Sequence, residues 1–392
     1  MKIILLTSKL NFETAGGSVV DLHLKAKGLV EMGHEVTVIT TFLEKNILKD
    51  DLPYRVCIEN VAKRTLLHIQ HRGYQILKKY EHEADVFYVD GQIFVYGGGL
   101  YRMFGGKVPV IAFFNVRLNC WGDTHGTTTG GRNSFLANKK KELRRIVEKY
   151  VGVPIANKLD AFIFTTPMVA QLYLDWGFDK KKTSIIPDFV DMQAIIKKYR
   201  ITEESIIKHQ HTQEKLTIFS TGRMIPEKGF DLIINAFALV PNKEKFRVVL
   251  SGDGPEKERL EQLVREKGLE KYFTFTGWVS RDELEQLLLK AHIFIFSKWW
   301  LEYTSVLLIE VFAFGLPCII PEGGGVAWLA DNKAAAFEED NYKEMAEKIA
   351  ELGENEDKRA SVAVEMFRRQ EVLDSRILLL KMSKVLLGTL KQ

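Results

Sequence analysis

The stretch His292-Ile293-Phe294-Ile295-Phe296, Ser297-Lys298-Trp299-Trp300-Leu301-Glu302-Tyr303-Thr304, Ser305-Val306-Leu307-Leu308-Ile309-Glu310-Val311-Phe312-Ala313-Phe314, closed by Gly315-Leu316-Pro317, decides how the rest of the chain is read. The first apolar run predicts a buried strand. A short polar loop follows, and the residues from about Ser305 to Phe314 predict an apolar helix stopped by Gly-Leu-Pro. Glu302 and Glu310 have seven residues between them. One falls in the loop and the other about a turn and a half into the helix, so both can face one ligand lying across the helix start. The backbone N–H groups of Tyr303, Thr304 and Ser305 aim at the same place, where a helix start favours an anion. Carboxylates for sugar hydroxyls beside bare amides for phosphate would suit a nucleotide sugar. On these residues alone, two solvated glutamates on a strand–loop–helix unit stay open as the alternative.

The pattern repeats on the N-terminal side of that stretch. Leu216 to Thr221 predicts a strand that runs into Gly222-Arg223-Met224-Ile225-Pro226-Glu227-Lys228-Gly229 and then a helix from Phe230 to Val240. Arg223 and Lys228 flank one strand-to-helix loop, and a guanidinium fork beside an ammonium suits a diphosphate, most of all one that leaves with extra charge, although such a pair taken alone is usually surface charge. Arg247 to Leu250 predicts the next strand, followed by the turn Ser251-Gly252-Asp253-Gly254-Pro255 and a charged helix. Phe273 to Thr276 leads into Gly277-Trp278-Val279-Ser280 and a helix over Asp282 to Lys290. Cys318 to Ile320 is a further strand. The last helices are expected from about Asn341 to Leu352 and from Lys358 to the end.

A separate α/β pattern opens the chain. Lys2 to Thr7 predicts a strand, and a polar loop ends at Ala15-Gly16-Gly17. Ser18 with Asp21 reads as a capping pair for an apolar helix that Gly33 stops, and Val36 to Thr40 returns as a strand. Gly16-Gly17 before a helix could bring backbone close to a phosphate, simple turn chemistry being the plainer reading. More strands are expected at Val86 to Val89, Val108 to Phe114, Asp160 to Thr165 and Ser184 onward, with Gly97-Gly98-Gly99 at a loop or helix start. Asn115 to Trp121 follow Phe114, then comes a long Gly/Thr-rich loop from Gly122 to Ser134 holding Asp123 and His125, which reads either as an acceptor-facing lid or as plain disorder. Residues 138–150 predict a basic helix with Leu143, Ile146 and Val147 on its other side. Such a helix could rest on an anionic membrane surface, a solvated face being the plainer reading. The Pro187-Asp188 turn and the polar stretch Lys197 to Lys215 mark the expected boundary.

Composition bounds the answer. At 392 residues the chain is too long for one ordinary core, so two domains are expected. A formal charge of +4 is small for this length and does not by itself argue for nucleic acid, so no nucleic-acid partner is expected. Cys57, Cys120 and Cys318 share no paired spacing, which predicts a reducing compartment with no disulfide framework and no zinc site. No apolar run approaches the ~18 residues of a membrane span, so a cytoplasmic protein is expected, at most peripheral at the inner membrane face.

Gly222-Arg223-x4-Lys228-Gly229, Gly252-Asp253-Gly254-Pro255 and Glu302-x7-Glu310 with Gly315-Leu316-Pro317, in this order, closely resemble the family-4 retaining glycosyltransferases of the GT-B fold. Gly16-Gly17, Gly33-His34-Glu35-Val36 and Ile186-Pro187-Asp188-Phe189-Val190-Asp191 extend the likeness over nearly the whole chain. The resemblance implies two Rossmann-like doubly wound parallel-sheet domains facing a central cleft. These would be residues 1–190, with a C-terminal helix over 376–392 crossing back, and residues 191–375. It further implies that Arg223 and Lys228 hold the donor diphosphate as it departs and that Glu310 binds the ribose hydroxyls. Glu302 would contact the transferred sugar, and Gly16, Gly17, Gly222 and the amides of Tyr303, Thr304 and Ser305 would lie along sugar and phosphate. The main chain at Trp278-Val279 would read the base.

The implied reaction moves a hexosyl or N-acetylhexosaminyl unit from a UDP- or GDP-sugar to a hydroxyl of a saccharide or lipid-linked acceptor. It proceeds with retention, by attack on the face the diphosphate leaves, and without metal or cofactor; no D-x-D triplet occurs in the sequence. Two positions depart from the family pattern. Asn115 stands where many members have a histidine, so it can bind a hydroxyl but not relay a proton, and His125 is the candidate substitute. Tyr-Thr-Ser follows Glu302 in place of the frequent Gly-Phe-Gly, so donor preference does not carry over. A sugar-nucleotide 2-epimerase of similar build and a non-catalytic sugar-nucleotide-binding protein are the alternatives.

Overall fold

A computed structural model describes residues 1–13, 17–61, 63, 65–116, 142–212, 214–298 and 304–390. The chain divides into two compact units, Met1–Phe189 with Ser375–Gln392 and Val190–Asp374. Each is a parallel sheet covered by helices, as continuous apolar strands require when both faces of a sheet are buried.

The first unit holds β1 (Lys2–Thr7), β2 (Glu35–Thr40), β3 (Arg55–Ile58), β4 (Val86–Asp90), β5 (Val110–Phe114), β6 (Ala161–Phe164) and β7 (Thr183–Ile185) in the order β3-β2-β1-β4-β5-β6-β7. All pairs are parallel. The chain reverses its direction of travel between β1 and β4, the topological switch point where such sheets open a crevice at their carboxyl ends. The opening helix, Gly17–Glu31, ends as expected: Gly33 adopts φ 84° and its amide donates to Val30 O at 2.8 Å. Asp21 does not serve a helix cap. It is buried, and its carboxylate takes Lys25 Nζ at 2.6 Å and the Phe189 amide at 2.7 Å.

Gly97-Gly98-Gly99 lies inside the helix Gly91–Met103 rather than at a loop or helix start. The reason is packing. A Cβ at Gly97 would stand 2.6 Å from Gln70 O of the helix Leu66–Lys79, and one at Gly99 would stand 2.2 Å from Ile155 O. Glycines let three segments meet backbone to backbone. The C-terminal helix Ser375–Thr389 buries Leu378, Met382 and Leu386 in the core that β1, β4 and β5 also line. The expected final helix is therefore interrupted: Glu356–Arg368 and Gln370–Leu373 belong to the second unit, and Ser375–Thr389 to the first.

The second unit holds β8 (Leu216–Thr221), β9 (Phe246–Ser251), β10 (Phe273–Gly277), β11 (Ile293–Ile295), β12 (Cys318–Pro321) and β13 (Ala335–Phe337) in the order β10-β9-β8-β11-β12-β13. Its switch point falls between β8 and β11, which are parallel. The polar stretch 197–215 is no linker. It carries the end of the helix Met192–Tyr199 and the helix Glu203–Gln210, which has a Thr202/Ser205 capping box. Arg359 fastens the end of that second helix, donating to Gln210 Oε1 at 3.1 Å and to Gln210 O at 2.5 Å. Polar composition there reflects exposed helix faces around the buried Ile195 and Ile206.

Of the predicted basic helix, residues 138–141 lie outside the described set. Residues 142–147 are α-helical and Glu148–Gly152 form a π-helical turn. Leu143, Ile146, Val147, Tyr150 and Val151 are exposed instead of covered. Among the described residues no helix is long and apolar enough to cross a membrane.

Candidate functional site

In the second unit, three strands end side by side, and their loops are stitched together. After β8, the Gly222 amide donates to Ser251 O at 3.1 Å and the Met224 amide to Asp253 O at 2.8 Å. The Gly252 amide donates to Gly277 O at 2.8 Å, tying the loop after β9 to the end of β10. Gly252 has φ 120°, and a Cβ there would stand 1.9 Å from Gly222 O. The Gly-Asp-Gly-Pro turn thus acts as the seat of the Arg223 loop.

This seat frames a cavity of about 440 Å³ at the carboxyl end of β8, beside the switch point. Gly222, Arg223, Lys228, Trp278 and Val279, all read from sequence as donor-site residues, line it together. Arg223 is exposed at the mouth, while Lys228 is half-buried. Burial, and then the neighbouring Arg223 cation, bring the Lys228 ammonium down to about 8. Two cations thus converge on one cavity, which suits an anionic ligand. Trp278 is 78% exposed on the cavity wall, so a flat ring could stack on its indole.

Glu310 stands one layer away. It lies within the helix Val306–Ala313, and it does not line the cavity. Arg281, at the start of the helix Arg281–Lys290, sets one guanidinium nitrogen 2.8 Å from each Glu310 oxygen. Burial pushes the Glu310 carboxyl up, and the Arg281 fork draws it back towards the charged form. Arg281 is fixed from behind by Glu285, whose carboxylate also takes Lys198 Nζ and Tyr199 Oη, each at 2.6 Å. Burial opposes the Glu285 charge, but those three donors bring it down to about 2. Sequence reading passed over Arg281. Its place two residues after Val279, on the helix whose Leu284 lines the cavity, is the only hint the sequence held.

Ser305 caps the helix Val306–Ala313, its hydroxyl accepting from the Leu308 amide at 3.2 Å. Neither Thr304 nor Ser305 lines the cavity. Gly16, Asp123, His125, Glu302 and Tyr303 lie outside the described residues. Gly17 is the exposed first residue of its helix in the other unit. Asn115 follows β5 there, and its Oδ1 accepts from Gln92 Nε2 at 2.5 Å. Among the described residues no group of His, Cys, Asp and Glu is arranged to hold a metal ion.

The family model "Glycosyl transferases group 1" matches residues 201–365, and "Glycosyltransferase Family 4" matches residues 15–194. A mannosylfructose-phosphate synthase of Agrobacterium fabrum is 25% identical over 182 residues, 44% of this chain and 40% of that protein. A GDP-mannose-dependent alpha-(1-6)-phosphatidylinositol monomannoside mannosyltransferase of Mycobacterium tuberculosis is 25% identical over 241 residues, 58% of this chain and 59% of that protein. The chain thus spans about half the length of these curated relatives. Among solved structures, HepE of Anabaena in complex with UDP superposes with a TM-score of 0.74 at 16% identity, covering 99% of this chain and 100% of that one. The sucrose-phosphate synthase of Thermosynechococcus elongatus gives 0.75 at 15% identity, covering 99% of each. At such identities these likenesses speak for the two-domain fold.

Proposed function

The chain belongs to the group 1 glycosyltransferases of family 4, with the GT-B fold, and from that premise we propose that it transfers a hexosyl or N-acetylhexosaminyl unit from a UDP- or GDP-sugar. The receiving group is a hydroxyl of a saccharide or lipid-linked acceptor. The observation that carries the proposal is the convergence of Arg223 and Lys228 on one cavity walled by Trp278 and Val279. The relatives named for GDP-mannose and the neighbour bound to UDP support a nucleoside diphosphate as its occupant.

The mechanism follows from charge. As the bond from the anomeric carbon to the diphosphate oxygen lengthens, negative charge gathers on the leaving phosphate, where the Arg223 fork and the Lys228 ammonium are strongest. The acceptor hydroxyl forms its new bond on the face that the phosphate leaves, and a phosphate oxygen takes the hydroxyl proton. Configuration is retained, and two protein cations do the neutralising that a metal would otherwise do. We assign the ribose hydroxyls to Glu310, one layer behind the cavity lining, where Arg281 opposes the effect of burial on its carboxyl, and the acceptor to the Asn115 end of the first unit. The exposed Leu143, Ile146, Val147 and Tyr150 beside Arg144, Arg145 and Lys149 support a peripheral contact with an anionic membrane surface.

A thermal-shift screen of nucleotide sugars tests the reading, since a ligand that binds only the native state raises the melting temperature. UDP- or GDP-sugars should do so, and Lys228→Ala should lower kcat far more than it weakens donor binding. Equal losses in both, or no nucleotide shift at all, would count against it.

A further inference from the structure

The loop that carries Arg223 and Lys228 is held at its two ends by different strands. Its Arg223 end rests on the turn after β9, through the Gly222 and Met224 amides. Its Lys228 end is a single 3₁₀ turn, Pro226–Lys228, whose own bonds are local: the Lys228 amide donates to Ile225 O at 3.0 Å and the Gly229 amide to Pro226 O at 3.2 Å. A lone turn of this kind has poor hydrogen-bond geometry and little to fix it by itself. Ser297, the first polar residue after β11, ties it to the sheet. The Ser297 hydroxyl donates to the Lys228 carbonyl oxygen at 2.6 Å, across 69 positions of sequence.

Ser297 is buried and does not line the cavity beside β8. A buried hydroxyl needs a partner, and this one finds it in the main chain of the residue that brings an ammonium to that cavity. Lys298 closes the outer side of the turn. Its stem lies over Gly229, where a Cβ would stand 2.7 Å from Lys298 Cγ, and its ammonium is drawn off to Asp340 at 2.9 Å. On the inner side the Lys228 stem passes Gly222, where a Cβ would lie 3.9 Å from both Lys228 Cδ and Cε. The place of the ammonium therefore depends on where the Lys228 main chain is held. β11, a central strand between β8 and β12, is a firm support for it.

We propose that Ser297 is a positioning residue for the transfer: by donating to the Lys228 carbonyl from the end of β11, it holds the Lys228 ammonium at the cavity where the leaving diphosphate would lie. The inference rests on the donor-site reading above and deepens it. Ser297 touches no ligand, so all that it does for the reaction passes through Lys228. Without the hydroxyl the turn is freed, and a flexible four-carbon stem lets the ammonium swing out into water. A displacement of about 1 Å is enough to matter for a charge that must meet the departing phosphate. The move has a signature in the Lys228 proton. Burial and the Arg223 cation bring that ammonium down to about 8, and an ammonium that swings out escapes both. The other charged groups around it are Glu227 of its own loop, Asp253 of the turn after β9, Asp231 of the following helix, which faces Arg259, and Lys298, held by Asp340. Trp278, Val279 and Leu284 add no charge to the lining, and Arg281 is held on Glu310.

NMR of the full chain with 13C-methylated lysines, followed without nucleotide through the lysine range, tests this. One resonance should titrate near 8, below the ordinary lysine value, and its loss in Lys228→Arg identifies it. Ser297→Ala should move that midpoint up by about one pH unit. The variant loses a single oxygen and should stay folded, with amide exchange in β8 and β11 as the check. If the alanine disturbs those strands, Ser297→Cys, similar in size with a weaker donor, takes its place with the same expected direction. Titration of UDP or GDP reads the consequence separately. Ser297→Ala should weaken binding about threefold at neutral pH, and the fall in affinity on the alkaline side should set in later. On a Lys228→Ala background the same change should make no difference, as a residue acting only through Lys228 requires. A midpoint unmoved by the substitution would overturn the inference, and so would a full Ser297→Ala loss on the Lys228→Ala background. Failure of both nucleotides to bind the unaltered chain would instead end the donor-site reading, while the lysine titration would still decide whether Ser297 positions Lys228.

Discussion

Lys228 couples proton and ligand. Its ammonium is brought down to about 8 by burial and by Arg223, and a diphosphate binds the charged form. Above that pH, binding must first put a proton back, so affinity for UDP or GDP should fall by up to about tenfold per pH unit. Below it, affinity should be flat with respect to this group. Calorimetric titration across that range checks the sign, and Lys228→Ala should erase the slope. Arg281 makes a second case. Removing it leaves the Glu310 carboxyl buried and unpaired, which raises it further. Arg281→Ala should therefore weaken nucleotide binding about tenfold at neutral pH and move an acid limb of binding towards neutrality. A uniform loss with no change in pH profile would reduce Arg281 to a structural part. The two residues differ in how far the sequence exposes them. Arg223 and Lys228 share one loop after one strand, so spacing alone joins them. Arg281 and Glu310 sit on separate helices and meet only once β10 and β11 are placed in the sheet.

At the scale of elements, the turn after β9 carries more than its sequence pattern suggests. Gly252→Ala would drive a Cβ into Gly222 O at a φ of 120°, where a side chain is strained in any case. The expected cost is on the order of 1–3 kcal/mol in urea unfolding, together with lost nucleotide affinity as the Arg223 loop shifts. Unchanged affinity would mean that the loop holds its shape unaided. Strands buried on both sides were legible: β1 and β5 are nearly continuous apolar runs, β8 carries Leu216, Ile218 and Phe219, and the residues of all three are almost all buried. The edge strands β7 and β10 were legible too, but the edge strands β3 and β13 were not. β3 is half-exposed, and β13 is only three residues long, too short for its Ala335-Ala336-Phe337 run to stand out. The glycine triplet misleads in the opposite sense, because helix-against-helix contact has no local signature. The segment 142–152 makes its own prediction. With Leu143, Val147 and Tyr150 exposed beside Arg144, Arg145 and Lys149, the chain should sediment with anionic vesicles and less with neutral ones. Leu143→Asp with Val147→Asp should abolish that, and high salt should weaken it.

On the scale of the whole molecule, each unit has its own core, and the chain's last helix belongs to the first. Met382 is fully buried there, and Leu379 lies within 2.7 Å of where a Gly28 Cβ would stand. Met382→Ala should cost about 2–5 kcal/mol, a large share of what a domain has. Because a chain of two units need not unfold in one step, a single melting temperature is a poor readout, and hydrogen exchange followed segment by segment is a better one. Met382→Ala should hasten exchange in β1, β4 and β5. UDP or GDP, bound through Arg223 and Lys228, should slow it in β8, β9 and β11, in proportion to the logarithm of ligand over Kd. The two effects should not cross. If nucleotide restored the β1, β4 and β5 amides in the variant, the last helix would answer to the donor site instead of to the first unit's own core, and reading the two units as separate bodies would fail with it.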